Sequence, residues 1–159
     1  MRENYKEITY KLIGHSFPLL RDKKIIIFVA WLRFYALSVW IPPFLRLMVL
    51  STRTRDLDKP AITGLIAHEL CHQERYLKMG VMKYLAFAAK FLISSETRGT
   101  EEKATDRLTI EKGYGRELYE LSVITHEDRN HEKINRFYLS LDEIKSYSES
   151  IGKWREIPN

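Results

Sequence analysis

The stretch Ala67-His68-Glu69-Leu70-Cys71-His72 restricts local structure more than any other in the chain, because its polar groups converge only on a helix. A helix turns about 100° and rises 1.5 Å per residue, so positions i and i+4 lie roughly 40° and 6 Å apart on one face. His68 and His72 can then aim a ring nitrogen each at a single ion. Glu69 sits about a quarter-turn further round, beside such an ion, where a general base for a metal-activated water belongs. On the same wheel Ile66, Ala67, Leu70 and Leu77 face away from the histidines, giving a core side and a chemical side. Asp58-Lys59-Pro60 offers an N-cap and a first-turn proline, and Gly80 a C-terminal stop. The spacing predicts a helix from about Lys59 to Met79.

With five His and fifteen Glu in 159 residues, H-E-x-x-H would arise in a shuffled chain about once in a hundred tries. A third ligand is therefore needed. A helix expected over about Thr100 to Lys112 provides it: Glu102 and Asp106 are four apart and share a face, with Thr109 further along. One carboxylate can bind the ion while the other accepts a hydrogen bond from the free ring nitrogen of a ligating histidine and fixes its tautomer. Glu102 is the expected ligand and Asp106 the outer partner. Glu101, nearer the face of Ala104 and Leu108, is the alternative ligand. The competing reading of these acids is stabilisation of a helix N-terminus through its dipole. Cys71, the single cysteine, reads as a small buried filler; it excludes an intramolecular disulfide and fits a reducing compartment.

Around this helix the chain reads as one domain, with residues 1–58 mainly strands, 59–112 metal-site helices, and 113–159 C-terminal helices and a tail. The expected strands are Ile25 to Trp31, Arg33 to Trp40 and Phe44 to Leu50, the last following Pro42-Pro43 and leading into the motif helix. Val81 to Ile93 reads as a second helix and Ser94 to Gly99 as a loop. Arg116 to Ile124 is helical; Thr125-His126-Glu127-Asp128 resembles a helix start. So does the capping box Ser140-Leu141-Asp142-Glu143, opening a helix that ends near Gly152. Arg33 and Arg46 leave charge-free runs far short of the roughly twenty residues a membrane span needs, and Met1 to Leu20 lacks a secretory apolar core. A cytoplasmic protein is expected, with contact to a membrane surface left open. The net charge of +5, from 26 basic and 21 acidic residues, is read as a mixed solvated surface. No nucleic-acid motif accompanies it.

The order strand, polar link, "DLDKPAITGLIAHELCH", intervening helix and "EEKATDRL" resembles the gluzincin zinc metallopeptidases, in particular the minigluzincins and the catalytic domains of membrane-bound prenyl-protein and heat-shock endopeptidases. The likeness spans roughly Phe34 to Leu108 and is specific at H-E-x-x-H and E-x-x-x-D. It implies that His68, His72 and Glu102 bind Zn2+, that Glu69 is the general base and that Asp106 orients a histidine. Thr105 stands where that pattern usually has alanine, and the transmembrane helices of the membrane-bound members have no counterpart.

The expectation is therefore an α+β, zincin-like fold: a small N-terminal sheet packed on the motif helix, with a helical C-terminal part. The expected activity is a zinc-dependent endopeptidase acting on a peptide or unfolded protein, with His126, His131 or Tyr114 as oxyanion donor. Phe44 to Leu50 is the expected edge strand for an extended substrate. The tail from Lys153 to Asn159, with Trp154 and Ile157, reads either as a frayed, exposed terminus or as the cover of a latent form, in which a tail carboxylate occupies the open position on the metal. A catalytically silent zinc-binding protein and a basic membrane-surface module are the alternatives. Nothing in the residues speaks to oligomeric state.

Overall fold

The computed structural model describes residues 4–127 and 135–156. The protein is α+β, with a three-stranded mixed sheet laid against helices. Helix α1 (Tyr5–Ser16) comes first, capped by Asn4, whose side chain accepts from Glu7 N. It replaces strand within the 1–58 segment, because Leu12 and Ile13 bury one turn of it in the core. Strands β1 (Ile25–Ala30), β2 (Ala36–Ile41) and β3 (Leu45–Ser51) follow.

The sheet order is β1-β3-β2, with β1 parallel and β2 antiparallel to β3. The expectation that Phe44 to Leu50 forms an edge is thus overturned: β3 is central, paired on both sides, and the edges are β1 and β2. Met48 and Leu50 of β3 have no exposed surface. That burial explains why Leu47 to Leu50 read as a continuous apolar run.

Helix α2 (Lys59–Met79) has the predicted bounds: the Asp58 side chain accepts from Ala61 N, and Gly80, at φ 74°, ends it with its N–H on Leu77 O. Only glycine takes that φ cheaply. Contrary to a two-sided helix, α2 is buried almost all round, Gln73 and Glu74 included. The sheet covers one side. Gln73 Nε2 donates to Leu47 O at 3.0 Å and Val39 O at 3.3 Å, while Arg46 Nη1 donates to Gln73 Oε1 at 3.0 Å. Arg46 therefore ties the sheet to the motif helix from a buried position.

Helix α3 (Val81–Ile93) leads straight into α4 (Ser95–Thr109). The loop expected over Ser94 to Gly99 does not form, because Ser94 caps α4 by accepting from Thr97 N. A single π turn (Ile110–Tyr114), with Gly113 at φ 95°, bends the chain into α5 (Gly115–Glu127). Thr125 to Glu127 close that helix rather than start one; the Thr125 hydroxyl bonds back to Ser122 O, while Asp128 lies outside the described residues. The capping box at Ser140 and Glu143 opens α6 (Leu141–Ser150) as predicted.

Candidate metal centre

His68 and His72 lie one turn apart on α2, and Glu102 faces them from α4. The Glu102 Oε2 atom is 3.1 Å from His68 Nε2 and 3.3 Å from His72 Nε2. One ligand atom from each of the three residues falls within 4.8 Å of the others, so this group could hold a metal ion. Glu102, not Glu101, completes the trio.

Each histidine is held from behind. His68 Nδ1 is 2.9 Å from Asp106 Oδ1, whose other oxygen accepts from Leu139 N at 2.9 Å. The four-residue offset from Glu102 puts both carboxylates on the α4 face towards α2, as the sequence predicts. His72 Nδ1 meets the Thr105 hydroxyl at 3.3 Å and Glu101 Oε1 at 3.5 Å. Glu101 is itself clamped by Arg75 through contacts of 2.8 and 2.7 Å. Thr105, an oddity in the motif, supplies a polar atom where alanine would leave none.

The electrostatics follow from these contacts. Burial alone would lower both histidines. The Asp106 and Glu102 carboxylates instead hold His68 well above its usual range, and Glu102 with Glu101 raises His72 to about 9. Burial opposes the charge on Glu102, but His72 and His68 keep its carboxyl far below the usual carboxylate range. In the same way Arg75 and His72 outweigh burial and bring Glu101 to about 2. Glu69 moves the other way, upward, because burial dominates. Its Oε2 is buried with no hydrogen-bond partner among the described residues. Burial also pushes the Cys71 thiol to about 12, and Thr109 donates to its sulfur, so Cys71 is the inert filler expected.

No family model, curated protein or solved structure matches the chain.

The trio opens on a cavity of about 390 Å³ whose walls include Ala36 to Val39 of β2, Tyr84 and Phe87 of α3, and Tyr138. Of the three expected oxyanion donors, the two among the described residues, Tyr114 and His126, do not line it. Tyr114 bonds Ser16 Oγ at 2.8 Å beside Phe17, and His126 engages Ser122 O and Asn135 Oδ1. His131 lies outside the described residues. Two phenols on the cavity wall reach the histidines: the Tyr76 hydroxyl lies 3.5 Å from His72 Nδ1, and the Tyr138 ring centroid lies 6.2 Å from that of His68. No local signal marked Tyr138, since only the turn before α6 brings it there. Trp154 packs on Tyr119 and under Arg116 and Lys145, away from the cavity walls; Ile157 and the terminal carboxylate lie outside the described residues.

Proposed function

We propose that the protein is a zinc-dependent endopeptidase of the gluzincin type. The observation that carries this reading is the Glu69 carboxylate, buried and half unpartnered beside three convergent ligands without being one of them. An unpartnered buried carboxylate oxygen is destabilising, and fold stability alone gives no reason for it. A general base gives one.

Two imidazoles and one carboxylate are the donor set of catalytic zinc sites that leave a fourth position open. Ligand atoms around a tetrahedral ion with bonds of about 2.0–2.1 Å stand roughly 3.3 Å apart, and the two contacts to Glu102 Oε2 are 3.1 and 3.3 Å. Bound there, zinc would act as a Lewis acid on water and on the scissile carbonyl, lowering the water pKa to about 7. Glu69 would take the proton of the attacking water and return it to the leaving amine nitrogen, a task suited to a carboxyl whose pKa burial has raised. Tyr138 would donate to the carbonyl oxygen as charge gathers on it. Asp106 and the Thr105–Glu101 pair would hold both Nε2 atoms aimed at the ion. A peptide or unfolded segment would lie along the edge strand β2, which walls the cavity, rather than along β3.

The test pairs metal analysis with turnover of unfolded casein. The wild type is expected to hold one zinc and cleave, His68→Ala and His72→Ala to lose the metal, and Glu69→Gln to keep it while turnover falls about 10²–10⁴-fold. Equal turnover by Glu69→Gln overturns the assignment of the base. Zinc without turnover in the wild type leaves a silent metal-binding protein instead.

A further inference from the structure

The outer face of the sheet is apolar and uncovered among the described residues. Register places Ile26 and Phe28 of β1, Leu45 of β3, and Leu37 and Ile41 of β2 on that one face, and all five are exposed. The opposite face, with Met48, Ser38 and Trp40, packs on α2. A sheet of this size ordinarily alternates apolar-in with polar-out. This one does not.

A second apolar face belongs to α3. Met82, Leu85, Leu92 and Ile93 fall within an arc of about 120° on a helix turning 100° per residue; Met82 is 79% and Ile93 85% exposed. Tyr84, Phe87 and Phe91 occupy the other side, towards Tyr76 and the cavity. Leu37 and Leu92, one from each apolar face, both line the cavity, so the two faces meet at its walls. Patches of this extent mark a docking surface.

Charge identifies what docks. Residues 23–55 and 81–93, which carry these two faces, hold eight of the 26 Lys and Arg and none of the 21 Asp and Glu; the remainder of the chain is net acidic. Net positive charge is therefore concentrated in these two segments. Of the eight, Arg46 is buried, while Lys83 and Lys90 border one side of the α3 stripe. An isologous pairing with a second copy would set Lys83 and Lys90 against the same two lysines of that copy. Nucleic acid would meet aliphatic side chains in place of base-reading groups. An apolar face edged by lysines, with Trp31 and Phe44 projecting at 74% and 88% exposure, suits the headgroup boundary of an anionic bilayer.

We infer that the outer sheet face and the outer face of α3 together form a membrane-surface docking site for anionic lipid, placing the walls of the metal-site cavity at the bilayer. The inference needs neither metal nor catalysis. Its test is flotation of the full chain with phosphatidylcholine vesicles, with and without about 30% of the anionic lipid phosphatidylglycerol, since such binding depends on lipid charge. The wild type is expected to float with the anionic vesicles, more weakly with neutral ones, and less at 0.5 M than at about 0.1 M salt. Met82→Glu combined with Ile93→Glu, and separately Phe28→Glu, should each lower partitioning at least about tenfold. Lys83→Glu with Lys90→Glu should remove the preference for anionic lipid. These side chains are exposed, and far-UV dichroism verifies that each variant folds. No flotation by the wild type, or flotation indifferent to all three variants, overturns the proposal. A dimer in ultracentrifugation that Met82→Glu with Ile93→Glu dissociates, in a protein that ignores vesicles, overturns it in favour of self-association. Salt-sensitive binding to duplex DNA without flotation overturns it in favour of nucleic acid.

Discussion

Asp106 controls a single proton. In the neutral imidazole that would ligate a metal, accepting from His68 Nδ1 at 2.9 Å leaves the lone pair on Nε2, and Leu139 N locks the carboxylate that does so. Asp106→Asn keeps the shape but can present its amide to Nδ1, so the tautomer is no longer held. Metal affinity should fall about 10–100-fold, the usual cost of losing such a partner, measured by competition with a chromogenic chelator. Glu101 has the same place behind His72 and adds a pH signature. In the metal-free protein its pKa is lowered from 4.5 to about 2 by Arg75 and His72, so it stabilises the fold above about pH 4.5, and this contribution is lost as pH falls through about 2. Glu101→Gln should therefore be less stable than wild type at pH 6, with the gap closing as the pH approaches 2; urea midpoints across that range would show it. A gap that is constant with pH would mean the side chain acts by packing alone.

At the scale of the element, α2 is held where two other elements approach it unusually closely. A Cβ on Gly64 would collide with the backbone carbonyl of Glu117 in α5, a group that cannot rotate aside. Gly64→Ala should destabilise by about 1–3 kcal/mol through overpacking, despite the better helix propensity of alanine, as read from denaturant midpoints. On the opposite side Gln73 spans two carbonyls of the sheet. The cost of burying so polar a helix is offset at Gln73 by hydrogen bonds to the sheet, while Glu69 Oε2 is left without a partner among the described residues. Helix α4 illustrates the converse. Ser94 reads as a loop residue in isolation, yet its hydroxyl on Thr97 N begins the helix that delivers Glu102.

For the whole molecule, the three candidate ligands lie on α2 and α4, two helices linked through α3. A ligand that binds only the folded state stabilises by about 4 kcal/mol at a thousand times its Kd. For a domain of this size, zinc at that excess should raise Tm by roughly 8–16 °C, and chelation should reverse the shift. His72→Ala should melt at the same temperature with and without zinc. The sheet adds an asymmetry no single element shows. Its inner face is sealed by α2, its outer face is apolar, and the positive charge of the chain gathers in the segments that carry that face.

Sequence by itself determined what depends on local spacing. Two histidines four apart, two carboxylates four apart, an Asp58 cap and a Gly80 stop define which faces α2 and the second half of α4 present, because helical geometry is the same in any surroundings. The capping box at Ser140 was legible for the same reason. Only the tertiary structure decided what depends on neighbours far along the chain. Strand order is one case: a largely apolar strand such as β3 is compatible with edge or centre until the partners of its N–H and C=O groups are known. The tyrosines of the cavity are another, since Tyr138 reaches its wall through a turn and Tyr114 departs through the π turn at Gly113, neither of which leaves a periodic trace. Hydrogen bonding within a turn of helix is written in neighbouring residues, while packing across the molecule is settled by which surfaces exclude water together.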